Sequence, residues 1–252
     1  MSTRQVCIGF VLLAAGGMLC AQSDSSSLMK FLSDQVNTHL AWGPHANSKG
    51  ASLELEAKRV DESNFDVRLK AKGMSGSERY QLVSWPLNQR GPSVIAANVI
   101  VGVDGYVTCP NDQTKCLDAA PGTQVILHLR PVPGEPTRLA LLSKNREVKA
   151  VEKTTLLPLQ SSDGSCDLKA TLMLPDGVAI LFEGSGFAPN EIVTESSSSG
   201  PETHSDPKQT DSAGRIYTVS LPAVKGQDNG ELKMTFRTSR CAPTVTVPWK
   251  TN

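Results

Sequence analysis

Residues 184–193 read GSGFAPNEIV, and they directly follow an apolar run, VAILF, at residues 178–182. The first half of the chain has a similar order of parts, because an alternating run ends at a glycine in residues 69–74, which read LKAKGM. Gly73 and Gly186 are 113 residues apart (186 − 73), which is about the size of one β-sandwich domain. The layout therefore predicts two tandem copies of one all-β module.

Alternation of apolar and polar residues predicts a strand on each side of a short turn in both halves. Residues 52–57 (SLELEA) and 65–69 (FDVRL) lie on either side of a polar turn at residues 61–64 (DESN). This is the pattern of a hairpin with one solvated face. Residues 167–174 and 178–182 flank Pro-Asp-Gly, whose fixed φ, side-chain acceptor and glycine are typical of a turn. The two halves match in layout more than in identical residues.

Breaks in this pattern predict the domain boundaries. We expect a polar leader with a short helix over residues 22–50, a first immunoglobulin-like (Ig-like) domain over 51–158 and a second over 165–250. Residues 158–164 are polar and rich in turn formers, so they are expected to link the domains. Residues 196–207 hold a run of four serines, a glycine and two prolines, and they predict a long loop or a weak edge strand.

The N-terminal residues 1–21 have the layout of a secretory signal peptide. Arg4 supplies the positive start, residues 6–19 are apolar but short for a membrane span, and Ala21 offers a small residue for cleavage. The alternative of lipid anchoring at Cys20 is disfavoured, because Leu19 is a poor substitute for the small residue expected there. Export to the periplasm or the extracellular space is the predicted localisation.

A short amphipathic helix is predicted after this leader. The apolar residues there recur at helical spacing and end before a Gly-Pro pair: Leu28, Phe31, Leu32, Val36 and Leu40. The helix is expected to pack on the first domain, since its polar face lacks the basic residues of a membrane-lying helix. No later segment is long and apolar enough for a membrane span, so no transmembrane segment is expected in the mature chain.

Charge and cysteine usage narrow the class of protein. The chain carries 25 basic and 25 acidic residues, with no block of like charge, which argues against a nucleic-acid partner.

Four cysteines remain outside the leader, and the repeat favours one of their three pairings: Cys109 with Cys116, and Cys166 with Cys241. Metal binding is the rival interpretation, but the closely spaced Cys and His ligand pairs that it needs are missing from the sequence.

Candidate sites for chemistry are few. The sequence has no Gly-x-Ser-x-Gly elbow and no phosphate-binding loop, so we expect no catalytic residue, metal or cofactor. Tyr80 and Trp85, near the Gly73 corner, are the aromatic residues expected to face a small ligand. The alternative is a secreted carbohydrate-active or other hydrolase with a site built from two distant carboxylates.

A resemblance adds to this interpretation. The pattern Gly-x-Gly-Phe-x-Pro-Asn-Glu-x-Val, then Thr-Asp-x-x-Gly, then Cys-x-Pro-x-Val-x-x-x-Trp resembles the Ig-like modules of bacterial secreted and cell-surface proteins. It covers residues 167–249, and the first half matches only by layout. The resemblance implies that Gly186, Phe187 and Pro189 shape a structural corner. It also implies a role as a non-enzymatic binding or structural module of the envelope or extracellular space, with an envelope protein or a glycan as partner.

Overall fold

The computed structural model describes residues 46–89, 91–112, 116–145 and 148–251. These residues divide into two compact units, 46–157 and 158–251, and both consist of antiparallel β-sheets. No α-helix occurs in these ranges, and the helical geometry of Pro175–Gly177 is a single 3₁₀ turn. The predicted all-β fold class is confirmed. The predicted signal peptide and amphipathic helix lie outside the described residues.

The unit of residues 46–157 has eight strands in two sheets. The strands are β1 (Ser52–Arg59), β2 (Phe65–Lys72), β3 (Tyr80–Ser84), β4 (Ser93–Val101), β5 (Val107–Thr108), β6 (Leu127–Leu129), β7 (Thr137–Ser143) and β8 (Lys149–Thr154). One sheet has the order β1-β2-β6, and the other has the order β5-β4-β3-β7-β8. The predicted hairpin is β1 paired with β2, and its turn is closed by Asp61, whose carboxylate accepts hydrogen bonds from the backbone of Ser63 and Asn64.

The two sheets of this unit pack face to face over one core. Leu69 of β2 is 2% exposed, and Leu82 of β3 and Leu141 of β7 are fully buried in the same hydrophobic cluster. Alternate residues of each strand point inward, because side chains alternate between the two faces of a sheet. The unit is therefore a β-sandwich whose outer faces carry the remaining side chains.

The unit of residues 158–251 also has eight strands in two sheets. They are β9 (Leu159–Asp163), β10 (Cys166–Leu172), β11 (Ile180–Ser185), β12 (Ile192–Ser199), β13 (Glu202–Gln209), β14 (Ile216–Ser220), β15 (Asn229–Arg237) and β16 (Thr244–Lys250). The sheet orders are β14-β11-β10-β9 and β13-β12-β15-β16. Gly184 of β11 lies against Phe236 of β15, and a Cβ there would come within 2.6 Å of the ring. A glycine at this position lets the two sheets approach closely.

Two stretches that lacked a strand pattern are strands in the structure. Residues 159–163, expected to be a linker, form β9 and pair with β10 along a register that runs from Leu159–Ala170 to Asp163–Cys166. The serine run, expected to be a loop or a weak edge, forms β12 and the start of a hairpin whose turn is Gly200 and Pro201. Polar residues suffice for an edge strand that leaves one face in water, so β9 forms at the predicted boundary between the units.

The corner between β11 and β12 depends on a left-handed glycine. Gly186 has φ of +80°, and a Cβ at this position would overlap the backbone oxygen of Ser165. Phe187 is buried and meets the ring of Phe236 edge-on, with centroids 6.5 Å apart. Pro189 is exposed at the tip of the corner. These three predicted corner residues thus lie in the segment that connects β11 with β12, where the chain crosses from one sheet to the other.

A carboxylate also holds this corner. Glu191 accepts hydrogen bonds from the backbone N–H of Ala188 and from the guanidinium of Arg240, both at 2.8 Å. The Ala188 N–H and then Arg240 lower the pKa of Glu191, because both stabilise its ionised form. Thr210 adds a second link, since its hydroxyl donates to the carbonyl oxygen of Ala188 at 2.8 Å.

Both predicted disulfides are present, one in each unit. Cys109 pairs with Cys116 at a Cα–Cα distance of 5.4 Å, and Cys166 pairs with Cys241 at 6.2 Å. Cys166 begins β10, whereas Cys241 lies in the turn before β16 and not in the last strand itself. Disulfides persist in oxidising compartments, so the two bonds indicate an exported environment.

Candidate ligand-binding cavity

Tyr80, one of the two predicted ligand-facing aromatics, is a core residue. Its side chain is 1% exposed, and its hydroxyl donates a hydrogen bond to the carbonyl oxygen of Ser75 at 3.0 Å. Desolvation, with a smaller contribution from Glu78, raises the pKa of Tyr80. The expectation for Tyr80 is therefore corrected, because a ring at this strand position points into the sandwich.

Trp85, the other predicted aromatic, is half-buried just after β3 and is bound to Arg138 of β7. The backbone N–H of Trp85 donates to the carbonyl oxygen of Arg138 at 3.2 Å. The Nε of Arg138 returns a hydrogen bond to the carbonyl oxygen of Trp85 at 2.7 Å. The guanidinium also stacks on the indole, with Cζ 4.9 Å from the ring centroid, which is a cation–π contact.

Arg138 is buried without a full set of partners. It is 1% exposed, and among the described residues its Nη1 and Nη2 atoms have no hydrogen-bond partner. Burial lowers the pKa of Arg138 to about 10, while the charge of Glu135 acts in the opposite direction. The guanidinium is still protonated at neutral pH, so this unit contains a buried cation that forms no direct ion pair with a described side chain.

A cavity of about 240 Å³ lies next to this cation. We call it the Arg138 cavity, and its lining residues are Ser84, Pro86, Asn88, Leu129, Arg130, Pro131, Val132, Glu135, Pro136, Thr137 and Arg138. Three prolines, a leucine and a valine make much of this lining apolar. The charged lining residues are two arginines and one glutamate.

The loop of residues 131–136 between β6 and β7, which we call the proline loop, forms one wall of the cavity. Its prolines have fixed φ and lack an N–H donor, so it does not extend either strand. The carboxylate of Glu135 accepts a hydrogen bond from the backbone N–H of Leu87 at 2.9 Å, and the N–H of Gly134 donates to the carbonyl oxygen of Leu157 at 2.8 Å. These bonds fix the loop against the chain that follows β3 and against the chain that follows β8.

Trp85, which was expected to face a small ligand, is not among the residues that line the Arg138 cavity, and the role of Arg138 was not predicted. Trp85 was identified from its residue type and its place near a corner. Arg138 was assigned only to a strand, in the run RLALL at residues 138–142. The available signal was a single arginine at the start of an otherwise apolar strand, directly after a proline-rich loop. That signal does not say whether the arginine faces water or protein, because the answer depends on β3 and the proline loop.

Two acids line one cavity of the other unit. Asp167 of β10 and Glu183 of β11 line a cavity of about 370 Å³ together with Lys169. Asp167 is exposed and Glu183 is half-buried, so both carboxylates remain in contact with solvent. A general acid of a glycosidase usually has its pKa raised by a closed apolar site. This open sheet surface offers no such enclosure.

Within the ranges that the structure describes, no three His, Cys, Asp or Glu side chains are grouped as metal ligands. In the same part of the chain, no helix has the length and apolar character needed to span a bilayer.

Comparisons with known proteins leave the Arg138 cavity to be interpreted from its own chemistry. No protein-family model matches the chain. No curated protein matches it significantly either.

Proposed function

We propose that this protein is an exported, non-enzymatic binding module of the bacterial envelope or extracellular space, and that the Arg138 cavity takes up its ligand. The single observation that carries this proposal is the cavity of about 240 Å³, whose largely apolar lining includes the buried Arg138. Cavities that combine apolar walls with a few polar groups are typical of small-ligand sites.

The strand order supports an Ig-like assignment for both units. In Ig-like sandwiches, strands A, B and E share one sheet, and strands C, F and G share the other. The orders β10-β11-β14 and β12-β15-β16 fit that rule in the second unit. The orders β1-β2-β6 and β3-β7-β8 fit it in the first, and β4 and β13 each extend the second sheet beside strand C.

The two corner glycines support descent of both units from one module. Gly73 and Gly186 each follow the second strand of the Ig-like order and have φ of +66° and +80°. A Cβ at Gly73 would overlap the carbonyl oxygen of Gly50, and one at Gly186 would overlap that of Ser165. Both oxygens lie just before the first Ig-like strand of their unit, so the same backbone contact recurs in the two copies.

The proposed class of exported binding module also suggests what its partner is and whether the chain carries a lipid anchor. Modules of this kind serve as spacers, adhesion units or carbohydrate-facing accessories, so an envelope protein or a glycan is the proposed macromolecular partner. Free export is proposed over lipid anchoring at Cys20. Mass spectrometry of the N-terminus of the mature protein tests this point, and a diacylglycerol adduct on Cys20 would overturn it.

The binding role is tested by a fragment screen on the ¹⁵N-labelled protein. We expect fragments to shift the amide signals of Leu129 and Val132 at the Arg138 cavity. Val132 is 49% exposed, and Val132→Trp should block the cavity and weaken binding at least tenfold. The matched control is Val103→Trp, at a fully exposed valine in the turn after β4. Absence of shifts at the cavity, or unchanged binding in Val132→Trp, contradicts the proposal.

The hydrolase alternative makes a different prediction. It requires Asp167 and Glu183, the two acids of one cavity, to act on a substrate such as a glycoside. The binding module should leave chromogenic glycosides unhydrolysed. Turnover that disappears in both Asp167→Asn and Glu183→Gln would establish the alternative instead.

A further inference from the structure

We infer that β13 is an interface between two copies of this chain, which associate by antiparallel pairing of β13 with β13 about a two-fold axis at Ser205. The inference concerns the second unit and does not depend on the Arg138 cavity, so it goes beyond the proposed function. The partner is a second copy of the chain, because the free edge of β13 matches itself in backbone hydrogen bonds and in charge.

The edge of β13 is open to a further strand. β13 is the first strand in the order β13-β12-β15-β16, and among the described strands it pairs only with β12. Just beyond the end of this ladder, the N–H of Thr210 donates to the carbonyl oxygen of Glu191 at 3.0 Å. Hydrogen-bonded and non-hydrogen-bonded pairs alternate along an antiparallel ladder. The backbone groups of Thr203, Ser205 and Pro207 therefore point away from β12.

The backbone groups on this edge are self-complementary when Ser205 lies opposite Ser205 of the second copy. The two Ser205 residues then exchange both of their backbone hydrogen bonds, and each Thr203 N–H donates to the carbonyl oxygen of Pro207 in the other copy. Pro207 has no N–H, and such a residue is tolerated at an edge position that faces away from the neighbouring strand. The pairing thus uses the donors that the edge has and does not require the one that Pro207 lacks.

Charged side chains are complementary in the same register. Pairing at Ser205 places Glu202 opposite Lys208 and His204 opposite Asp206, and the two-fold axis repeats both contacts. These four side chains are half-buried and lie on one face of β13. No ion pair of the described residues involves Glu202 or Lys208, so both charges are available to a second copy.

The neighbouring registers are less favourable. Pairing at His204 would place Glu202 opposite Asp206, and pairing at Asp206 would place two aspartates opposite each other. Like charges that lie directly opposite each other destabilise a sheet. An edge that carries lysine and proline is also a poor template for a strand of unrelated sequence. β13 therefore favours its own sequence as the partner, in one register.

The small size of this interface predicts a weak dimer. Each copy contributes one strand of eight residues. Stable complexes bury about 1,200 Å² or more, and smaller interfaces are transient. We therefore expect a dimer that depends on concentration, with a Kd of about 10 μM to 1 mM.

The test is sedimentation velocity on the full chain over a concentration series that spans this Kd. The wild type should shift from monomer to dimer. Glu202→Lys and Lys208→Glu should each weaken dimerisation at least tenfold, because each variant places like charges opposite each other twice in the dimer. The double variant Glu202→Lys/Lys208→Glu restores opposite charges and should dimerise within about threefold of the wild type. Lys233→Glu, at an exposed lysine of β15, is the matched control and should leave dimerisation unchanged.

A mixture of the two single variants tests the register itself. Glu202→Lys has positive charges at both positions, and Lys208→Glu has negative charges at both. An antiparallel pair with one chain of each kind therefore has only opposite charges facing each other at these positions. The mixture should form a heterodimer under conditions in which each variant alone is monomeric.

Ser205→Pro tests the backbone contacts. The N–H of Ser205 faces the free edge, so its removal leaves the hydrogen bonds between β12 and β13 in place. The variant should keep the near-ultraviolet circular dichroism of the wild type and should no longer dimerise. If Ser205→Pro does not fold, the charge variants still decide.

The results separate this interface from other modes of association. A wild type that stays monomeric up to about 1 mM overturns the inference. A dimer that is insensitive to both single charge reversals also overturns it, and so does a mixture that forms no heterodimer. Ligand binding at the Arg138 cavity is tested separately by the fragment screen, so either proposal can fail without the other.

Discussion

Removing the Cys166–Cys241 disulfide should destabilise its unit far more than removing Cys109–Cys116 destabilises the other. The first bond joins residues 75 positions apart, and the second joins residues 7 positions apart. On the loop-entropy model these separations correspond to about 4.5 and about 2.4 kcal/mol at 25 °C. Each pair buries both of its sulfurs, so replacement by alanine costs similar packing in the two cases. The expected difference of about 2 kcal/mol therefore comes from the loop length.

These magnitudes predict different outcomes for the two variants. A single domain has a free energy of unfolding of about 5–15 kcal/mol, so a loss of about 4.5 kcal/mol leaves residues 158–251 marginally stable. With a urea m-value of about 2 kcal/mol/M, the midpoint should fall by about 2 M for Cys166→Ala/Cys241→Ala and by about 1 M for Cys109→Ala/Cys116→Ala.

The assay is urea denaturation read by hydrogen exchange and mass spectrometry, which reports each unit separately. Peptides from β11 follow residues 158–251, and peptides from β3 follow residues 46–157. In each variant the unit that keeps its disulfide is the internal control and should keep its midpoint. Equal losses in the two variants, or a larger loss for Cys109→Ala/Cys116→Ala, would refute the loop-length argument.

Three further predictions concern residue-level contacts in the second unit. Gly186→Ala should cost at least about 2 kcal/mol more than Gly226→Ala in urea denaturation, because both glycines have positive φ but only the first would gain a backbone clash. Glu195 accepts a hydrogen bond from Thr218 at 2.5 Å with both side chains buried, so Glu195→Met and Thr218→Val should each cost about 1–3 kcal/mol. The double variant should lie closer to the wild type, and additive losses would contradict this coupling. Glu191 has a lowered pKa, so its contribution to stability is present above the unfolded-state pKa of about 4.3 and is lost as the pH falls through the folded-state pKa. Glu191→Gln should therefore lower stability at pH 7 and weaken its pH dependence in acid, and an unchanged acid unfolding curve would contradict this expectation.

Local signals in the sequence account for the parts of the fold that were predicted. The β1–β2 hairpin follows from strict alternation on both sides of a polar turn, and both signals act within a few residues. The turn at Pro175–Gly177 follows from residue types that adopt the required dihedral angles, since Asp176 and Gly177 both have positive φ. The disulfide pairing followed from the predicted repeat, because each pair lies within one half of the chain.

The serine run shows where local sequence signals no longer predict the structure. Ser197 and Ser199 of β12 are buried, and the hydroxyl of Ser199 accepts a hydrogen bond from the indole N–H of Trp249 at 2.9 Å. Four consecutive serines carry no alternation, so the sequence does not distinguish an inward serine from an outward one. A partner 50 residues away makes that distinction.

The sequence by itself determined an all-β chain, its cysteine pairs and the glycine corner that turns each unit from one sheet to the other. These properties depend on alternation, residue type and turn chemistry, which are local. Only the tertiary structure decided that Tyr80 is a core residue and that Arg138 is buried against Trp85 beside a cavity. The physical reason is that burial of a strand residue depends on what covers its face of the sheet, and here the cover comes from segments distant in the chain.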